Sequence, residues 1–271
     1  MRWLAAALVL ALVCCSPARQ FRLDEATAIG RAGGLQPRLL QARGFNILSF
    51  ERPGREHATL TVYIEGDGRA WLNPWQPSTD PTPTDPIGLK LAAADLASPL
   101  LYLARPCQFV ASDACDRRLW TGARLSPEIV DLFQQLIGDA MRRTNSARLG
   151  LVGYSGGGAL AALIAERRRD VAWLVTVAAD LDLAEWVRLE SIEPLSGSLD
   201  PADSAAAIEK LPQVHFVGGN DRVVSPAVAE AFVRHMSTPN AAGVIVEPGF
   251  DHECCWAAAW PQLLGQLGLK R

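Results

Sequence analysis

Past residue 44, short apolar, β-rich runs recur along the chain, with longer stretches of helical character between them. Residues 45–50 and 59–64 read as two early strands, expected to pair as a hairpin. Five further strands are predicted at 100–104, 149–152, 173–178, 214–217 and 243–246. Helices fit 87–96, 127–142, 156–167, 226–236 and 256–267, and residues 19–43 read as a mixed, partly helical lead-in. Two helices carry start signals: Ser126-Pro127 and Ser225-Pro226 each place a capping serine before a proline at the first helical position. Strands alternating with helices of this length predict a mainly parallel central sheet with helices on both faces.

Two segments break the alternation. Residues 71–86 hold Trp71, Trp75 and five prolines, too many for regular structure. Residues 183–210 hold Trp186 and a Pro/Ser/Gly/Asp tract. Both are too short to be domains. They read as surface loops, or as lid-like walls of a pocket, because loops at the carboxyl ends of parallel strands surround the site in such sheets. Residues 19–271 are therefore expected to form a single α/β domain.

Composition narrows the function classes. The 271 residues are 49% apolar and 20% charged, which suits a globular protein with a large core. A formal net charge of −3 gives no basic footprint for nucleic acid, and none is expected as a partner. The amino terminus reads as a targeting segment: Arg2 precedes an apolar run over residues 3–13, too short to cross a bilayer but suited to a signal peptide. Two processing routes stay open. Ser16-Pro17-Ala18 suits ordinary cleavage, whereas Leu12-Val13-Cys14-Cys15 resembles a bacterial lipoprotein box, in which Cys15 or Cys14 would carry a membrane-anchoring lipid. Either route exports the chain, so Cys107, Cys115, Cys254 and Cys255 would mature in an oxidising compartment. A local Cys107–Cys115 bridge is preferred, with the adjacent Cys254 and Cys255 expected to be reduced. No metal-ligand spacing accompanies them, and neither a metal nor another cofactor is expected.

The chemistry concentrates at residues 148–160, where the apolar run Leu-Gly-Leu-Val-Gly-Tyr leads into Ser155 and then Gly-Gly-Gly-Ala-Leu. Gly153 and Gly157 flank the serine in the pattern G-x-S-x-G. Strand, sharp turn and helix in that order would raise Ser155 above the sheet as a nucleophile, with helix amides aimed at whatever it attacks. A serine needs a base and the base an orienting acid. Of the four histidines, His215 lies inside an apolar strand and reads as a core residue, His57 begins an early strand, and His235 lies late in a helix. His252 follows the last strand through Pro248-Gly249-Phe250-Asp251 and is the expected base. Asp221, after Gly218-Gly219-Asn220, is the expected acid, with Asp180 and Asp182 in reserve. The oxyanion donors are expected at the amides of Gly156 and Asp67, the latter in Glu65-Gly66-Asp67-Gly68.

Gly153-Tyr-Ser155-Gly-Gly157, then Asp221, then His252 reproduce the Ser…Asp…His order of the α/β-hydrolase superfamily, which the chain resembles over residues 45–267. Tyr63-Ile-Glu-Gly-Asp-Gly68, Arg105-Pro-Cys107 and Gly249-Phe-Asp-His-Glu-Cys-Cys-Trp256 look similar to bacterial lipoprotein-type α/β hydrolases. The resemblance implies the α/β-hydrolase fold, an envelope location and hydrolysis of a small-molecule carboxylic ester through an acyl-enzyme. Peptidase, thioesterase or acyltransferase chemistry would use the same residues, and a catalytically silent binding protein would keep the same fold. The departure is at residues 65–68, where the superfamily commonly has His-Gly. Two carboxylates thus stand near a site for negative charge; either they turn away or they favour a cationic substrate.

Overall fold

The computed structural model describes residues 17–73, 75–238 and 242–268. The apolar run and Cys14-Cys15 lie outside them. In chain order the strands are β1 (Gln36–Ala42), β2 (Phe45–Arg52), β3 (Leu60–Ile64), β4 (Trp71–Asn73), β5 (Gln76–Pro77), β6 (Leu100–Leu103), β7 (Leu149–Tyr154), β8 (Val171–Val177), β9 (Gln213–Gly218) and β10 (Ala242–Glu247). The helices are α1 (Pro17–Ala32), α2 (Ile87–Ala94), α3 (Pro127–Thr144), α4 (Gly156–Ala165), α5 (Leu183–Glu190), α6 (Pro226–Arg234) and α7 (Trp256–Gln266). Among the described residues, no helix is long and apolar enough to cross a membrane.

Eight strands form one sheet in the order β1-β2-β6-β3-β7-β8-β9-β10. From β6 to β10 the pairs are parallel, and β1 and β2 extend that sheet as antiparallel strands. The expected hairpin of the two early strands is absent. β2 instead pairs with β1 across the turn Arg43-Gly44, while β6 lies between β2 and β3. Both turn residues have positive φ (50° and 82°), the backbone that matches strand twist in a two-residue turn. All five β3 residues are buried, so β3 belongs in the sheet centre, between β6 and β7.

Alternation along the strands divides the core. Leu60, Val62, Ile64, Leu101, Leu103, Leu149 and Leu151 face one layer with α3, α4 and α6. Tyr63, Tyr102, Val152, Tyr154, Val175 and Phe216 face the other, with α1, α2 and α7. This is the period-2 projection of strand side chains onto two covered faces.

Three segments are more regular than their composition suggests. The lead-in is a full helix followed by the edge strand β1. Residues 183–210 contain α5 and a 3-10 turn at Pro201–Ile208, each opened by an aspartate whose side chain accepts a backbone N–H: Asp182 from Glu185 and Asp200 from Ala202. Residues 71–86 contain the small antiparallel hairpin β4–β5. Of the two predicted caps, Ser225 accepts from the Ala227 amide, whereas Ser126 makes no capping bond although Pro127 begins α3. Cys107 and Cys115 are joined, as preferred. Cys254 and Cys255 are joined to each other instead of being reduced; their shared peptide is cis and brings the two Cα atoms to 3.1 Å.

Candidate active site

Four strand ends at the carboxyl edge deliver the predicted residues: Asp67, expected for its amide, after β3, and the side chains of Ser155 after β7, Asp221 after β9 and His252 after β10. Ser155 occupies the apex of the β7–α4 turn with φ 50° and ψ −129°, a backbone that L-residues rarely adopt. The surrounding structure holds it there: the Ser155 amide donates to Val177 O (2.8 Å), and Ser155 O accepts from Gly158 N (2.7 Å). A Cβ on Gly153 would collide with the Gly157 backbone, and one on Gly157 with the carbonyls of Ile64 and Glu65. Strand, helix and β3 thus close on each other only because both flanking residues lack side chains.

The structure brings Ser155, His252 and Asp221 together. His252 Nε2 stands 3.1 Å from Ser155 Oγ, and His252 Nδ1 stands 2.9 Å from Asp221 Oδ2. The other Asp221 oxygen accepts from the amides of Val223 and Val224, both at 2.8 Å. The Asp221 side chain is fully buried, while that of His252 is 16% exposed. A carboxylate can only accept from Nδ1–H, which leaves the Nε2 lone pair facing the serine hydroxyl. The His252 loop is held from below: Tyr154 Oη donates to His252 O (3.0 Å), and Trp256 Nε1 reaches the carbonyls of Asp251 and His252. Asn220 N donates to Phe250 O (2.9 Å), joining the acid loop to the base loop.

The remaining acids and histidines have other partners. Asp180 accepts from Arg124 Nη2 at 2.6 Å, and Asp182 caps α5 and faces His235 at 3.2 Å. His215 is buried between Thr176 and Gln213, and burial lowers its pKa to about 3. It is the core residue that its apolar strand suggested. His57 is exposed in a turn.

The carboxylates of residues 65–68 resolve differently from each other. Glu65 turns into the core, where it accepts from the amides of Gly66, Gly88 and Leu89 and from Tyr102 Oη. It serves the start of α2, and burial holds its pKa above the ordinary value against those bonds. The Asp67 carboxylate lies against Gly156, where a Cβ would collide with both of its oxygens. Two buried guanidinium groups neutralise it: Arg105 Nη1 at 3.1 Å and Arg124 Nε at 3.1 Å. Arg105 also donates to Arg124 O, and Arg124 stacks on the Trp186 ring at 4.9 Å. Asp67 therefore does not turn away from the serine loop, and its charge is met by arginines of the chain itself, with Arg124 shared between Asp67 and Asp180. Gly66 N–H is taken by Glu65, and Gly66 packs on Tyr154 and Ser155. The Asp67 amide is then the next backbone donor along this loop, and the Gly156 amide opens α4.

Arg105, Arg124 and Tyr154 were not predicted as site residues. Tyr154 lies within the serine motif and Arg105 within the Arg-Pro-Cys stretch, so each stood beside a visible signal. Arg124 had none, because its role depends on three separate loops meeting. Among the described residues, no cluster of His, Cys, Asp or Glu is placed to hold a metal ion.

No protein-family model matches the chain, and no curated protein matches it in sequence. Solved structures do. An alpha-beta serine hydrolase homologue from Coxiella burnetii superposes with a TM-score of 0.58 at 18% identity, covering 86% of this chain and 95% of that one. A membrane phospholipase A gives 0.59 at 16%, covering 92% of each chain. Est1E from Butyrivibrio proteoclasticus gives 0.58 at 13%, covering 85% and 98%. These likenesses show the α/β-hydrolase fold.

Proposed function

We propose that this protein is an exported serine hydrolase that cleaves carboxylic esters through an acyl-enzyme on Ser155. The observation that carries the reading is the relay from Ser155 Oγ through His252 to the buried Asp221, at 3.1 and 2.9 Å. In the first half-reaction Ser155 Oγ attacks the ester carbonyl while its proton passes to His252 Nε2. The carbonyl oxygen takes up negative charge, which the Gly156 and Asp67 amides are assigned to stabilise. Collapse expels the alkoxide, which takes the proton from His252 and leaves as alcohol. Water then repeats the sequence and frees the acid and the serine. Asp221 keeps the imidazole in the required tautomer and offsets its positive charge.

Esters are taken as the acyl donor because an alkoxide is a far less basic leaving group than an amide nitrogen, and the ester carbonyl is less stabilised by resonance; each would leave with one proton from His252. The names of the structural neighbours agree with hydrolysis and span a phospholipase, an esterase domain and a puromycin hydrolase, so the fold leaves the substrate open. The test is labelling with a fluorophosphonate. The protein should react stoichiometrically at Ser155, and Ser155→Ala should not react at all. A folded protein inert to the probe and to a library of ester substrates would mark it as a silent binding protein.

A further inference from the structure

The β4–β5 hairpin presents three large apolar side chains to solvent within five residues: Trp71 and Leu72 are nearly half exposed and Trp75 is 90% exposed. Apart from Leu189 and Ile192 at the end of α5, both less exposed than these three, the other exposed large apolar residues of the described chain lie singly on separate segments. The base of the hairpin is fastened. Ser78 N donates to Ala70 O (2.9 Å), Arg69 N to Pro81 O (3.0 Å) and Trp120 Nε1 to Ser78 O (3.1 Å). Exposure of the tip is therefore built into the fold.

Three observations indicate what covers this tip. The first turns of α1 are fastened to the segment just after the hairpin: Arg19 pairs with Asp80 at 3.1 Å, and Arg22 donates to Thr82 O at 2.7 Å. The apolar run at residues 3–13 and Cys14-Cys15 immediately precede α1, so the expected membrane-directed segment joins the fold at a helix fastened to the segment that follows the hairpin. Residues 69–79 contain no carboxylate but do contain Arg69, so nothing there repels an anionic lipid surface. Tryptophan, with an apolar ring and one N–H, favours the boundary between headgroups and acyl chains.

We propose that the β4–β5 hairpin docks on a phospholipid bilayer, with Trp71, Leu72 and Trp75 entering its interfacial region. The hairpin follows Gly66-Asp67, which pack against Ser155 and Gly156. Docking thus holds the mouth of the site at the lipid surface, where ester bonds of membrane lipids lie. That last consequence rests on the hydrolase reading; the docking itself does not.

The test compares the full exported protein with its Trp71→Ser/Trp75→Ser variant on vesicles of phosphatidylcholine and phosphatidylglycerol. An acyl anchor alone would hold both proteins on the vesicle, so the readout is tryptophan quenching by phospholipids brominated near the acyl carbonyls. Quenching is expected in the wild type and not in the variant, whose thermal midpoint should match. An ester carried in the vesicle should be hydrolysed at least about tenfold more slowly by the variant, and a soluble short-chain ester within about twofold of wild type. Equal quenching of both proteins overturns the proposal. So does an equal loss on both esters, which would place the hairpin in the substrate pocket, or a dimer that only the wild type forms. If neither protein hydrolyses any ester, the hydrolase reading fails and the quenching still decides the docking.

Discussion

Ser155, His252 and Asp221 act as a unit in the proposed chemistry, and single residues carry its sharpest consequences. Ser155→Ala and His252→Ala should each lower kcat by about 10⁴- to 10⁶-fold, with the double variant no worse than either. Asp221→Asn should cost about 10⁴-fold by favouring the wrong tautomer. Near-additive losses in steady-state kinetics would separate the serine from the histidine. Away from the site, His215 sets a pH response. Its pKa falls from 6.5 to about 3 on burial, so between these values the unfolded chain binds a proton that the folded chain does not. Stability from this group is complete above pH 6.5 and is lost as pH falls toward 3. Between pH 8 and pH 4.5 the loss amounts to about 2–3 kcal/mol. Urea unfolding at the two pH values should show it, and His215→Leu should remove that share of the difference.

Elements differ in how far local sequence explains them. β7 and α4 announce themselves through an apolar run, a glycine-flanked serine and a small-residue helix. β1 does not: Gln-Pro-Arg-Leu-Leu-Gln-Ala has little alternation, and the strand is recognisable only through its register with β2. α5 hid within a tract rich in turn formers, although its Asp182 cap was there to find. The loop after β6 depends on its bridge. Cys107–Cys115 closes a small ring just beyond Arg105, one of the two guanidinium partners of Asp67. The Cys107→Ser/Cys115→Ser variant should lose about 2–3 kcal/mol in urea unfolding. Non-reducing peptide maps should show Cys107 with Cys115 and no link from either to Cys254 or Cys255.

At the scale of the whole molecule, the proposed export and anchoring are tested by mass. Intact protein extracted from membranes should lack 13 or 14 residues and carry acyl groups on Cys14 or Cys15. An unmodified chain beginning at Arg19 would discard the lipid and keep the export. The amino-acid order by itself determined the parallel α/β architecture and named Ser155, Asp221 and His252, because periodicity, glycine turns and residue order are local properties. It could not determine strand order: β2 and β3 look alike as apolar runs, and the insertion of β6 between them is a pairing of segments distant in sequence that neither run encodes. Nor could it determine the state of Asp67. Arg105 and Arg124 lie 38 and 57 positions away, and only the packing of three loops around one carboxylate makes them its partners. Charge neutralisation of that kind depends on distance in space, which the tertiary structure alone decides.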